Sequence, residues 1–501
     1  MRLCRLWLRH LKKDNLRAVG RMFHSPVLKD DLMFYKLHEK LLLRGWQKLP
    51  HAVMERGVSR PVFITAQEMD ALKLCNGMID VDLPLVPKEL RDLVKLAAER
   101  GWAAPCERGD AIRPEQEYKC YPARYIRTAH WSITGHCNYR CKHCYMSAPD
   151  AKYGELSHDQ IMSIAQQLID CGVMEVSLTG GEPLVRKDFM EIVDALLAGG
   201  IRITTIYSNG KLVTDQLLDE LAARGVHPEF NMSFDGVDGW HDWLRGIPNA
   251  GKIVEDAFLL CREKGFPTGA EMCIHSGNKP LLRETVKRLH DLGCRSLKTN
   301  PISNVGAWKE GGYGEGIPMQ ELYQMYLDYI PKYYEDGMPL SLQLGGFFMA
   351  SPDKPEEYDI PSLKNCRNPE KTCVCGHARM VMYISAEGRA LPCMAFSGMD
   401  IQEEFPLIPE IGLANCLTDS RYMRLIDTRA AEVLKHNPEC SSCEYALQCL
   451  AGCRASALEF TPDDILAPDK AACEIFRGGW VEKIQSTLQN IQPHLRCRGC
   501  S

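Results

Sequence analysis

The sequence predicts an α/β fold built on a partial (β/α)6 barrel, with a small N-terminal winged-helix-like domain and a cysteine-rich C-terminal region. Three observations predict it. Between about residues 126 and 306, short β-rich runs alternate six times with helical stretches. The N-terminal 120 residues lack that rhythm. Ten of the 23 cysteines fall between Cys366 and Cys473. Strands separated by helices pair in parallel through right-handed crossovers, and six strands are too few to close an eight-stranded barrel.

The elements follow in order. In the N-terminal part, Leu37, Leu41, Leu42 and Leu43 suggest an amphipathic helix, and 61–64 reads as a short strand. Thr65 is an N-cap with Glu68 three residues on, which forms a capping box for a helix over 66–74. Residues 88–100 carry Leu90, Leu93, Val94 and Ala97 at helical spacing, and Gly101 stops that helix. The six strands are expected at 130–134, 175–178, 203–207, 230–234, 269–275 and 297–301. The helices between them are expected at 157–171, 187–198, 214–224, 251–264 and 281–292. Connectors rich in Gly, Pro and charge follow at 311–316 and 351–363, and a short strand at 380–384. The domains are therefore expected at 1–120, 121–345 and 346–480, with a tail over 481–501.

Composition excludes several classes. The 501 residues are 45% hydrophobic and 25% charged, as in an ordinary globular protein, and the net charge of −5 lacks the basic balance of a nucleic-acid binder. The basic start, 1–24, is followed by no apolar run of signal length, and is read as a solvated start or a short basic amphipathic helix. No stretch approaches the roughly 20 apolar residues of a membrane span. A cytoplasmic location follows, and there a large cysteine-rich chain points to metal or cluster ligation rather than disulfides.

The cysteines group by spacing. Cys137-Asn-Tyr-Arg-Cys141-Lys-His-Cys144-Tyr145 comes just after the first strand, at the end where such sheets place their sites. Three thiolates can ligate three irons of a [4Fe–4S] cube and leave one iron open. A zinc site completed by a distant ligand is the competing reading. Later strand ends carry Thr179-Gly180-Gly181-Glu182-Pro183, Tyr207-Ser208-Asn209-Gly210 and Ser233-Phe234-Asp235-Gly236, followed by His241-Asp242 and Arg245-Gly246. This CxxxCxxC spacing and the ordered strand-end motifs resemble the radical S-adenosylmethionine (SAM) superfamily. The resemblance implies that the cluster binds SAM at its open iron and cleaves it to a 5′-deoxyadenosyl radical. It implies that Gly180, Gly181, Glu182 and Pro183 hold the SAM amino group, that Ser208 and Asn209 lie at the ribose, and that Ser233 and Arg245 contact ribose or carboxylate.

In the C-terminal region Cys373, Gly388 and Cys393 precede Cys440-x2-Cys443-x5-Cys449-x3-Cys453, and Cys473 follows. This pattern resembles the SPASM signature, which implies two auxiliary [4Fe–4S] clusters. On that pattern Cys373, Cys393 and Cys453 share one cluster, and Cys440, Cys443, Cys449 and Cys473 the other. Cys366 or Cys375 would complete the first; Cys375 also satisfies the spacing to Gly388, and Cys373 is preferred because Gly376 follows it. Cys497 and Cys500 form a terminal CxxC read as an unstructured tail. The N-terminal segment loosely resembles the winged-helix element that binds leader peptides.

One expectation comes from period alone. On the fifth strand, Glu271, Cys273 and His275 alternate with Met272 and Ile274, so the polar trio should face the barrel interior. There one of them would exchange a proton or hydrogen atom with substrate. The function expected is hydrogen abstraction from a residue of a ribosomally made precursor peptide, giving a thioether or carbon–carbon crosslink, an oxidation or an epimer. The alternatives are an anaerobic maturase of the sulfatase type and a non-enzymatic iron–sulfur electron carrier. The partners expected are the peptide or protein substrate and a low-potential electron donor of flavodoxin or ferredoxin type.

Overall fold

The computed structural model describes residues 32–498 except 59, 147, 149, 153, 305 and 493. The basic start over 1–24 and Cys500 lie outside the described residues. The chain divides into two compact units, 1–120 and 121–501.

In the first unit, strands β1 (Phe34–Leu37), β5 (Asn76–Asp80) and β6 (Ala103–Cys106) form one sheet in the order β5-β1-β6. Strands β2 (Leu41–Trp46), β3 (Leu49–Glu55), β4 (Val62–Phe63) and β7 (Lys119–Cys120) form a second, in the order β4-β3-β2-β7. Helices α1 (Ala66–Leu74) and α2 (Lys88–Glu99) pack on each other. Both are where the sequence puts them, and Thr65 and Glu68 make the reciprocal capping box. The helix expected through Leu37 to Leu43 is instead β1 and β2. The reason is tertiary: Arg44 is buried, and its guanidinium donates to the carbonyls of Leu43, Glu115 and Glu117 at 2.7, 2.7 and 3.0 Å. An extended strand places it for those bonds.

The second unit is built on six strands in sequential order. These are β8 (Thr128–Ser132), β9 (Glu175–Thr179), β10 (Arg202–Ser208), β11 (Glu229–Ser233), β12 (Thr268–Ile274) and β13 (Ser296–Pro301). Each neighbouring pair is parallel. The crossovers are α3 (His158–Asp170), α4 (Phe189–Ala198), α5 (Asp215–Ala223), α6 (Trp240–Arg245) with α7 (Ala250–Glu263), and α8 (Leu282–Asp291). Ser157 caps α3 in a capping box with Gln160, and Thr214 caps α5. Val176, Leu178, Ile206, Phe230, Met232 and Met272 are buried in one core with Ile192, Leu218, Phe258 and Val286 of the helices.

Two more parallel strands extend the six. Strand β14 (Ser341–Leu344), after α9 (Gly306–Glu310) and α10 (Met319–Glu335), pairs with β13. Strand β17 (Val381–Ile384) returns from the cysteine-rich region and pairs with β8, Val381 opposite Thr128. Among the described residues the sheet does not close. Beyond β14 lie β15 (Phe348–Ala350), β16 (Glu357–Asp359) and β19 (Arg496–Cys497), and beyond β17 lies β18 (Ala390–Leu391). No helix among the described residues is long and apolar enough to cross a membrane.

Candidate active site at the C-terminal ends of the parallel strands

A cavity of about 460 Å³ opens at the C-terminal ends of the parallel strands. It brings together Cys137, Cys141, Cys144, Gly180, Gly181, Ser208, Asn209, Ser233, Arg245, Glu271 and Cys273. Glu182, Pro183 and His275 do not line it.

The three thiols sit in a loop whose own groups turn toward them. Tyr139 N–H donates to Cys137 Sγ and Ala148 N–H to Cys144 Sγ, both at 3.4 Å. Arg245 Nη1 donates to Cys141 Sγ at 3.8 Å. Burial pushes the Cys137 thiol up to about 12, and Glu182, Cys141 and Cys144 act in the same direction. Three thiols that oppose one another's ionisation, each offered an N–H donor, fit a cationic cluster, because a coordinated thiol is deprotonated outright.

Gly180 and Gly181 bring backbone against that loop. Gly180 has φ +154°, and a Cβ at Gly181 would lie 2.3 Å from the His136 carbonyl oxygen. The N–H groups of Gly181 and Glu182 donate to Thr134 O and His136 O at 2.9 Å each. The Glu182 carboxylate is fully buried and accepts from Ser208 Oγ at 3.0 Å, Asn209 N–H at 2.8 Å and Leu184 N–H at 3.2 Å. Burial raises it to about 7 against those donors. It ties the end of β10 to the loop after β9, and Asn209 Nδ2 continues the chain of bonds to Asn138 Oδ1 at 2.7 Å.

Behind the cysteine loop lies a buried ionic network. Arg245 Nε donates to Asp235 Oδ2 at 2.6 Å, Cys273 N–H to Asp235 Oδ1 at 3.0 Å, and Asp235 N–H to His241 Nδ1 at 3.0 Å. Burial opposes the charge on Asp235, but Arg245 and His241 outweigh it and hold the carboxyl well below the usual range. His143, Asp235 and Cys273 place ligand-type atoms within 4.8 Å of one another. Sequence assigns no role to Asp235 or His143. The signal for Asp235 was present in Ser233-Phe234-Asp235-Gly236, an acid at a strand end two residues beyond the serine.

Across the barrel interior, Ser233, Glu271, Lys298 and Gln343 stand in register on four adjacent strands. Lys298 Nζ lies 3.7 Å from Glu271 Oε1. Glu271 and Cys273 face the cavity, but β12 ends at Ile274, and the alternation does not carry on to His275. That residue turns away: its N–H donates to Asn278 Oδ1 at 2.8 Å, and its ring packs against Trp240 and Trp243 at 5.1 and 5.3 Å.

The C-terminal cysteines form two groups. Burial pushes Cys449 up to about 12, with Cys473, Cys440 and Cys443 close enough to add to it. Burial likewise pushes Cys393 up to about 12, and there Cys453 and Cys375 add. Cys373, preferred by spacing, is engaged elsewhere: Arg379 Nη1 and Arg429 Nη1 donate to its sulfur at 2.9 and 2.7 Å. Cys366 is buried with Ala430 and Leu450 and donates to Thr372 Oγ1 at 3.3 Å. Met394 and Met399, just after Cys393, and Glu459, just after Cys453, line the main cavity.

Comparison with known proteins agrees with this geometry. Residues 131–291 match the radical SAM superfamily. The chain is 27% identical over 345 residues to the AdoMet-dependent heme synthase of Methanosarcina barkeri (strain Fusaro / DSM 804), covering 66% of this chain and 92% of that protein. It is 25% identical over 343 residues to the PqqA peptide cyclase of Granulibacter bethesdensis (strain ATCC BAA-1260 / CGDNIH1), covering 67% and 84%. The fold is similar to the crystal structure of Streptococcus suis SuiB bound to precursor peptide SuiA, with a TM-score of 0.60 at 16% identity, over 88% of this chain and 100% of that one.

Proposed function

This chain is a radical SAM superfamily enzyme, and from that premise we propose that it abstracts hydrogen from a residue of a ribosomally made precursor peptide. The product would be a thioether or carbon–carbon crosslink, an oxidised side chain or an epimer. The observation that carries the reading is the convergence, in one cavity, of three N–H-bonded thiols with the strand-end groups of Gly180, Gly181, Ser208, Asn209, Ser233 and Arg245.

In this reading Cys137, Cys141 and Cys144 would hold a [4Fe–4S] cluster together with SAM, and the pair would supply a 5′-deoxyadenosyl radical by one-electron cleavage of SAM. The chain positions and shields. Gly180 and Gly181 admit a ligand close to backbone, with Pro183 fixing the turn beyond. Glu182 orients Ser208 and Asn209. Arg245, neutralised by Asp235, offers its remaining donors to Cys141 and the SAM carboxylate. Met394, Met399 and Ile302 cover the cavity wall with apolar groups that exclude water. One of Glu271, beside Lys298, and Cys273 would exchange a proton with the substrate as the product forms. His275 positions the loop after β12.

We assign Cys375, Cys393 and Cys453 to one auxiliary [4Fe–4S] cluster, with Cys366 or Cys373 as its remaining thiol. Cys440, Cys443, Cys449 and Cys473 are assigned to a second. Both belong to a SPASM-type region over 346–480, following a radical SAM core over 121–345, and serve to accept or relay an electron. The peptide would be held by the unit over 1–120. Strand β4 is a sheet edge whose Val62 and Phe63 are 50% and 44% exposed, and an extended peptide can add to such an edge through backbone hydrogen bonds.

The test uses the reconstituted enzyme without oxygen, with SAM, dithionite and short peptides encoded beside its gene. A covalent change in one peptide, matched mole for mole by 5′-deoxyadenosine, is expected. Conversion of an iron porphyrin in place of any peptide would overturn the substrate class, and a failure to form 5′-deoxyadenosine at all would overturn the ligation of SAM.

A further inference from the structure

Two segments are fastened to the cysteine loop by its own backbone. Lys142 N–H donates to Leu244 O at 2.9 Å, and Cys144 O accepts from Ala307 N–H at 3.0 Å. Both segments carry aromatic rings to the surface. On α6, Trp243 is 39% exposed, while Arg245, two residues on, is buried and reaches Cys141 Sγ. One turn of helix therefore separates solvent from a cysteine of the loop. From the second segment, Tyr313 is 41% exposed and lies 5.1 Å from Trp308 and 6.2 Å from Trp243.

Lys142, between Cys141 and Cys144 in sequence, joins the two. Its ammonium lies 5.1 Å over the Trp243 ring and 5.9 Å over the Tyr313 ring. Among the described residues no carboxylate forms an ion pair with it. Trp240, Trp243 and Tyr313 do not line the catalytic cavity. The patch thus combines two exposed rings with one half-buried ammonium, and it is built on the outer side of the loop that the cavity meets from within.

A substrate has to enter the cavity, whereas an electron has only to reach the loop, and electron transfer weakens steeply with distance. We infer that this patch docks the carrier protein that reduces the cluster, a small acidic redox protein of the flavodoxin or ferredoxin class. The inference rests on the proposed ligation by Cys137, Cys141 and Cys144. In the step itself the carrier's flavin or iron–sulfur centre is oxidised by one electron, the cluster gains that electron, and no bond forms or breaks. The patch suits a transient encounter. Redox complexes bury less than about 1,200 Å² in total, aromatic rings are enriched at interface centres, and an unpaired cation steers an acidic partner. Trp243 and Tyr313 supply the flat apolar contact, and Lys142 the charge.

The experiment measures 5′-deoxyadenosine formed from SAM by the holoenzyme, without peptide. Reduced flavodoxin, reduced ferredoxin or dithionite serves as the electron source. Lys142→Glu should slow the reaction driven by a carrier protein by roughly tenfold or more, the lower end of what electrostatic steering contributes, and Tyr313→Ala should slow it by roughly tenfold through lost aromatic contact. The dithionite-driven rate should stay at the wild-type value, because a small anionic reductant needs no docking surface. Added salt should slow the carrier-driven reaction of the wild type more than that of Lys142→Glu. Equal losses with protein and chemical reductants would overturn the inference and make the patch structural. Carrier-driven rates that survive both substitutions would overturn it too, as would failure of both carriers on a wild-type enzyme that dithionite drives. If dithionite itself yields no 5′-deoxyadenosine, the proposed function fails instead.

Discussion

Cys373 and Cys375 are two residues apart and have different neighbours. Two guanidiniums hold the sulfur of Cys373, whereas Cys375 accepts the Ala378 N–H at 3.4 Å and lies near Cys393 and Cys453. Replacement of Cys375 by alanine should remove about four irons per chain, one cube, while Cys373→Ala should retain more iron than Cys375→Ala; iron and sulfide analysis checks both. Spacing could not separate the two, because both fall within reach of Gly388 and only the tertiary placement of Arg379 and Arg429 distinguishes them. His130 is a second residue that sequence left unremarked. Its ring stacks on Tyr207 at 4.8 Å, and burial, helped by Lys298 and His377, lowers it to about 4. The fold accepts the neutral ring, and the unfolded chain takes up a proton near pH 6.5. Stability from this residue is therefore complete above about pH 6.5 and is lost as pH falls toward 4, on the order of 3 kcal/mol in all. Denaturation midpoints followed across that range should slope less steeply in His130→Phe than in the parent.

At the scale of elements, local signals served where they were self-contained. The boxes at Thr65–Glu68 and Ser157–Gln160 start helices where their chemistry demands, and Thr65→Ala should cost about 1 kcal/mol in chemical denaturation. Leucines at 37 and 41–43 satisfy helical spacing and two successive strands of different sheets equally well, and the choice between them is made by partners more than sixty residues away. Strand β12 shows the same limit in miniature. Alternation places Glu271 and Cys273 on the cavity side and fails at His275 because the strand has ended. Glu271→Gln and Cys273→Ala should leave 5′-deoxyadenosine formation intact and lower modified peptide per SAM consumed by roughly tenfold, the smaller part of what a positioned proton-transfer group contributes. Equal yields of both products from the two variants and the parent would remove these residues from the chemistry.

For the whole molecule, the six sequential strands and the cysteine loop were readable because each unit of that pattern is local. Strand β14 was not, since four-residue strands carry little signal; β17 was legible as a strand at 380–384, but nothing in sequence names β8 as its partner. A chain beginning at Tyr121 should still form 5′-deoxyadenosine but lose modification of the precursor peptide, assayed by mass spectrometry of the peptide and chromatography of the nucleoside. The pairing of β17 with β8 has a further consequence during synthesis. Val381 meets Thr128 only after some 250 intervening residues have left the ribosome. Until then β8, the strand that leads into Cys137, offers an unpaired edge on that side, and such late, distant pairing is slow. The nascent chain thus passes through an interval in which its cysteine loop is made but one flank of its sheet is missing. That interval is the window in which cluster assembly and aggregation compete, and slowing translation between β13 and β17 should shift the balance.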